Sequence, residues 1–168
     1  MTMKISVFVD GANFFFMQKE ALKWFADPKK ILDYLEQFGE IEDAFYYIGR
    51  DAPPEAKQDS FLKALPSMGY SLVTKQIKTI FDSKTGRNKK KANLDIEIVL
   101  DMFNTIDHYD MAVLISGDGD FERALRLLKA RGKKYMVIAT EQFVARELRD
   151  VAGRHYIDLK DIKADIQK

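Results

Sequence analysis

Apolar residues gather in short unbroken runs along this chain, and most runs hand over to stretches where they recur every three or four residues. Met111 to Ile115 (MAVLI) has no alternation, the pattern of a strand covered on both faces. Lys4 to Val9 (KISVFV) and Lys134 to Ala139 are similarly compact. Ala44 to Ile48 reads as a second strand, Tyr70 to Ile77 alternates as a third and suits an edge, and Tyr156–Ile157 makes a short last one. Between them the spacing predicts helices: Phe14 to Trp24, then Ile31, Leu32 and Leu35 beyond the break at Asp27–Pro28, and Phe61, Leu62 and Leu65 before Pro66. Further helices follow from about Asn93 to Ile106, through Phe121, Ala124, Leu125 and Leu128, and from Phe143 to Val151. Gly49–Arg50–Asp51 and Pro53–Pro54 read as turns. Strand alternating with helix predicts an α/β fold over residues 1–168 as one domain. Its sheet should be mostly parallel, Rossmann-like, with helices on both faces as a three-layer α/β/α sandwich. A strand order of 3-2-1-4-5 would set the ends of the first and fourth strands side by side.

Two of the buried runs end in acid and glycine. After Met111–Ile115 comes Ser116–Gly117–Asp118–Gly119–Asp120–Phe121, and after Lys4–Val9 comes Asp10–Gly11–Ala12–Asn13. Ligand sites in open α/β sheets lie beyond the carboxyl ends of the strands. Glycine lets the backbone turn tightly and approach closely there. Two carboxylates two residues apart at such a tip suit a hard, oxygen-loving cation; the alternative is that Asp120 caps the helix that follows. With the expected strand order, Asp10 faces Asp118 and Asp120 across the crevice. A third acid comes from the helix near Asn93: at 100° per residue Asp95 shares a face with Ile98, Val99, Met102 and Ile106. A carboxylate set in an apolar stripe demands a charged or hydrogen-bonding partner. Complementing the helix dipole, or pairing with a nearby lysine, are the other readings of Asp95. Asp101 falls on the opposite side with Glu97 and Asn104 and is expected to be a solvated surface charge.

Composition narrows the chemistry. The 168 residues are 46% hydrophobic and 32% charged, an ordinary globular balance, with a net charge of +1. Zero cysteines exclude disulfides, thiolate-held zinc and thiol catalysis, and the two histidines, His108 and His155, lie in different elements. Any metal would therefore be held by carboxylates. The five uncharged residues between Lys4 and Asp10 are too few for a signal-peptide core, and no stretch has the length of a membrane span. The chain is accordingly read as cytoplasmic, with no membrane partner. The charges are segregated: Lys75, Lys78, Lys84, Arg87, Lys89, Lys90 and Lys91 form one basic cluster, which suits a phosphate backbone or, equally, a solvated loop. Phe14–Phe15–Phe16 could stack bases, but core packing is the stronger expectation, since consecutive helical residues point different ways.

Phe8–Val9–Asp10–Gly11–Ala12–Asn13, then Lys91–Ala92–Asn93–Leu94–Asp95, then Ser116–Gly117–Asp118–Gly119–Asp120–Phe121, taken in order, resemble the NYN domain family and its LabA-like branch within the PIN-like nuclease group. The likeness extends to Glu147–Leu148 and Tyr156–Ile157–Asp158–Leu159. Relatives often read Lys-Gly-Val-Asp where this chain has Ala92–Asn93–Leu94–Asp95. The resemblance implies a PIN-like sandwich whose clustered acids bind Mg²⁺ or Mn²⁺ and hydrolyse RNA phosphodiesters. Carried onto this sequence, the catalytic and metal-binding acids are Asp10, Asp95, Asp118 and Asp120. Asn13 corresponds to the polar residue beside the first acid and Ser116 to the hydroxyl beside the third; with Arg87, Lys89, Lys90 and Lys91 they are the expected substrate contacts. RNA is the implied partner, and a homodimer is left open. Two other functions compete: a non-catalytic regulator of the same fold that binds RNA or protein, and, more distantly, a haloacid-dehalogenase-type phosphatase. That family needs an Asp-x-Asp pair after the first strand, and position 12 is Ala.

Overall fold

Ile5, Val7 and Val9 point to one face of the first strand and Phe8 to the other, and all four are sealed from solvent. That double burial makes the strand central. The computed structural model of the chain describes residues 2–50, 56–91 and 93–168, with the backbone alone for 78–80 and 88–91. Among the described residues the strands and α-helices are, in order, β1 (Lys4–Asp10), α1 (Gly11–Phe16), α2 (Pro28–Leu35), β2 (Glu40–Arg50), α3 (Ala56–Met68), β3 (Ser71–Gln76), β4 (Lys78–Asp82), β5 (Arg87–Lys91), α4 (Asp95–Asn104), β6 (Met111–Ile115), α5 (Glu122–Ala130), β7 (Lys134–Ala139), α6 (Arg146–Ala152), β8 (Tyr156–Asp158) and α7 (Lys163–Ile166).

Six strands form one sheet in the order β3-β2-β1-β6-β7-β8, every neighbouring pair parallel. Counted along this sheet alone the order is 3-2-1-4-5-6, so the expected adjacency of the first and fourth strands is present, with β3 at an edge. Two apolar clusters lie on opposite faces. One joins Val7 and Val9 to Phe14 and Met17, to Ile31 and Leu35 of α2, and to Leu62 and Leu65 of α3. The other joins Phe8 and Leu114 to Ile98 and Met102 of α4, Leu125 and Leu128 of α5, and Leu148 of α6. The result is the three-layer α/β/α arrangement.

Several local expectations change. The predicted helix from Phe14 to Trp24 is a six-residue α1 followed by a π-helical stretch, Met17–Leu22, which ends at Lys23 in the left-handed region (φ 62°). β2 begins at Glu40, four residues before the apolar run, because Glu40–Asp43 pair with β1 even though their side chains are partly wet. The helix predicted from Phe143 starts at Arg146; the N–H groups of Phe143 and Val144 both donate to the Thr140 carbonyl in a turn. The basic cluster contains an antiparallel hairpin, β4–β5, running from the Lys78↔Lys91 pair to the Asp82↔Arg87 pair. Gly86 (φ 67°) closes its turn. Asp101 is not a solvated charge: the Tyr47 hydroxyl donates to its Oδ2 at 2.9 Å and keeps it half-buried. Gly49 and Arg50, expected to turn, instead continue β2 and pair with Lys75 and Gln76 of β3. Asp51, the turn expected at Pro53–Pro54, Ala92, and the side chains of Lys89, Lys90 and Lys91 lie outside the described residues. Among the described residues, no helix is long and apolar enough to cross a membrane.

Candidate metal centre

Val9↔Ile115 is the last pair between β1 and β6, so Asp10, still paired with Tyr47 of β2, and Ser116 follow side by side at the strand ends. This is the crevice where chain direction switches away from the central pair, the usual ligand position in such sheets. Ser116, fully buried, donates its hydroxyl to Asp10 Oδ2 at 2.9 Å and accepts the Asp118 N–H on the same oxygen at 3.1 Å. One hydroxyl thus holds the two strand-end acids in register. Asn13 makes a second tie: its N–H reaches Asp10 Oδ1 at 3.4 Å, and its Oδ1 accepts the Gly117 N–H at 2.8 Å.

Both glycines next to these ties are required by close approach. A Cβ on Gly11 would collide with the backbone oxygen of Tyr47, so only glycine lets α1 start against β2. A Cβ on Gly117 would lie 2.8 Å from the Phe143 oxygen. There the loop after β7 closes over the site, with the Ala145 N–H on the Gly117 carbonyl at 2.8 Å. Downstream, Asp118 Oδ1 accepts the Asp120 N–H at 2.9 Å and caps the short 3₁₀ turn Gly119–Phe121. The capping duty considered for Asp120 therefore falls on Asp118.

The third acid arrives from α4. Ile98 and Met102 bury one stripe of that helix, and Asp95, on the same stripe one turn earlier, projects toward the strand ends. Asn93 fixes the entry by accepting the Asp95 N–H on its Oδ1 at 2.8 Å. Oxygen atoms of Asp10, Asp95 and Asp118 all lie within 4.8 Å of one another. Asp120 is exposed at the rim and does not join this trio, although its charge is felt there.

Three carboxylates so close cannot all stay ionised cheaply without a cation. Burial is the main reason the Asp95 carboxyl is pushed up to about 7; the charges of Asp10 and Asp118, a hydrogen bond shared with Asp118, and the charge of Asp120 add to it. Burial also raises Asp10, with Asp118 adding, against lowering by the Ser116 hydroxyl and the Asn13 N–H. Among the described residues none of the ion pairs involves Asp10, Asp95 or Asp118. An all-oxygen, uncompensated donor set of this kind fits a hard divalent cation such as Mg²⁺ or Mn²⁺.

The sequence model of the NYN domain matches residues 4–160. The chain belongs to the NYN domain family. It is 46% identical over 168 residues to the Low amplitude and bright protein LabA of Synechococcus elongatus, an alignment covering 98% of this chain and 88% of that protein. A protein of Methanocaldococcus jannaschii described as uncharacterized is 26% identical over 151 residues, 89% of this chain but 52% of its own length. A Vibrio parahaemolyticus protein of unknown function has the same fold in its crystal structure, with a TM-score of 0.83 at 25% identity over 99% of this chain and 97% of that one. The NYN assignment and the three-layer fold agree.

Of the expected site residues, the structure brings Asp10, Asp95 and Asp118 together, with Ser116 tying Asp10 to Asp118 and Asn13 tying Asp10 to the Gly117 loop. Arg87 is exposed at the start of β5, on the hairpin that leads into α4. Asn93 and Glu147 lie within the NYN-like motifs, yet sequence reasoning gives them no role in the site. Asn93, two residues before the first helical acid, is a local capping signal, and the Glu147 carboxylate lies directly against Gly119 in the acidic turn, where only the tertiary fold brings α6.

Proposed function

We propose that this protein is a metal-dependent endoribonuclease. The observation that carries the reading is the Asp10–Asp95–Asp118 trio, set at the switch between β1 and β6 in a chain of the NYN family. Those three carboxylates would hold Mg²⁺ or Mn²⁺, with Asp120 beside them at the rim. A cation bound there supplies Lewis acidity, making water nucleophilic at neutral pH and offsetting charge on the leaving oxygen. The rest is done by the chain. Ser116 keeps Asp10 and Asp118 at a fixed spacing, Asn13 ties the two strand-end loops, and Asn93 sets the angle at which Asp95 enters. Arg87 and the lysines 89–91 of the hairpin before α4 hold the RNA backbone, phosphate contacts being the main source of nucleic-acid affinity.

The test is turnover of a 5′-labelled RNA with Mn²⁺, with EDTA, and with Asp10→Asn. Internal cuts that vanish in EDTA and in the variant are expected. RNA that is bound but never cut would leave a regulator of the same fold, and p-nitrophenyl phosphate hydrolysis without RNA cleavage would favour a phosphatase.

A further inference from the structure

The run Phe14–Phe15–Phe16 splits on folding. Phe14 is buried (1% exposed) in the core with Met17, whereas Phe15 (46%) and Phe16 (54%) stand in solvent on the outer side of α1. After the π-helical stretch the left-handed Lys23 turns the chain back, and Phe25 (44%) returns beside Phe15. The Phe15 ring centroid lies 6.1 Å from that of Phe16 and 6.0 Å from that of Phe25. Three exposed rings packed together form a patch, and a patch of this kind marks a binding surface.

Its position says what the patch binds. α1 begins at Gly11, directly after Asp10, and Ala12 is exposed at that end. Phe15 and Phe16 follow Ala12 at i+3 and i+4 on the same helix face, about one turn, ~5.4 Å, along the axis. The aromatic surface therefore begins about one turn along α1 from its N-terminal end, where Asp10 caps the helix. Lys19 lies on its edge, Nζ 5.9 Å from the Phe15 ring, and Lys23 is exposed nearby. Ring faces beside cations are what an unpaired nucleotide strand needs, bases on the rings and phosphates at the amines. A paired helix keeps its bases inside the stack and offers nothing to such rings.

Resting on the ribonuclease reading above, we infer that Phe15 and Phe16, with Phe25 behind them, form a base-stacking shelf that makes the site selective for single-stranded RNA. The shelf takes the nucleotides next to the phosphate held at Asp10, Asp95 and Asp118. Base–aromatic stacking contributes ~1–3 kcal/mol per base by alanine substitution, about 5- to 150-fold in affinity.

The experiment measures binding in EDTA, where no turnover occurs, by fluorescence anisotropy of a labelled 12-nucleotide oligouridylate and of a duplex of equal length. Wild type, Phe15→Ala/Phe16→Ala and Phe16→Trp are compared, with thermal melts and sedimentation on each. The double variant is expected to stay folded and to bind the single strand at least tenfold more weakly, with duplex affinity unchanged. Phe16→Trp should retain single-strand binding, and its added indole should be quenched by oligouridylate beyond any change at Trp24. Equal single-strand affinity in wild type and double variant, with metal-dependent cleavage intact, overturns the shelf and leaves the ribonuclease standing. So does a double variant that keeps its RNA affinity but converts a dimer to monomers, which would make the patch an interface between copies. Wild type that neither binds nor cuts RNA overturns both readings.

Discussion

Asp95→Asn in the metal-free protein offers the sharpest stability test of the carboxylate trio. The folded protein holds the Asp95 carboxyl at about 7 because of burial and the charges of Asp10 and Asp118. In the unfolded chain an aspartate titrates near about 3.9. The folded form therefore binds more protons between those values, and the stabilisation from protonated Asp95 is complete below about pH 4 and lost as pH rises through about 7. At about 1.36 kcal/mol per pH unit the gap is about 4 kcal/mol at face value. Asp95 is only half-buried, and screening by solvent reduces this to about 1–2 kcal/mol. For a domain of this size that is about 2–8 °C in melting temperature. The asparagine variant has no such proton to lose. In EDTA, the wild type should therefore fall by that amount relative to Asp95→Asn between pH 4.5 and pH 8, read by thermal melts across the series. Adding Mn²⁺ at pH 8 should reverse the order, since a ligand at a hundredfold excess over its dissociation constant stabilises the folded form by about 2.7 kcal/mol. Parallel curves for the two proteins in EDTA, or an equal Mn²⁺ response in both, would refute the reasoning.

Four further outcomes are expected. Ser116→Ala removes the hydroxyl shared by Asp10 and Asp118 and should weaken Mn²⁺ binding by about 10- to 100-fold in calorimetry, with the fold intact. Asp101→Asn should leave RNA cleavage near wild type because its carboxylate faces Tyr47, whereas Asp101→Ala should lower stability by about 1–3 kcal/mol in urea unfolding. Gly11→Ala should destabilise by about 1–3 kcal/mol, since its Cβ meets the Tyr47 backbone and cannot be accommodated by a side-chain swing. Changing Lys89, Lys90 and Lys91 together to Ala should flatten the salt dependence of RNA binding by about 0.7 in log–log slope for each phosphate no longer neutralised.

The sheet was legible because its central strands are buried on both faces. Met111–Ile115 carries no polar residue, and alternation with helices permits little but a parallel order. Once that order holds, the pairing of Asp10 with the Ser116–Asp118 loop follows, and the stripe Ile98–Met102 brings Asp95 to them. The hairpin was not legible because Lys89, Lys90 and Lys91 show no apolar alternation to mark a strand. Asp101 misled for a different reason. Its helix side is polar by sequence, yet Tyr47 rises from β2 far enough to reach it, a hydrogen bond across 54 residues of sequence that no local pattern encodes. Phe15 and Phe16 are exposed because α1 turns Phe14 and Met17 to the core, a split that three identical residues in a row do not mark.

The most direct test of the metal centre is an anomalous difference map from crystals soaked in Mn²⁺. One strong peak is expected, bounded by Asp10, Asp95 and Asp118, with carboxylate oxygens at about 2.1 Å, and no such peak in crystals of Asp118→Asn. An empty crevice in well-ordered crystals at millimolar Mn²⁺, or a peak held by other residues, would contradict it.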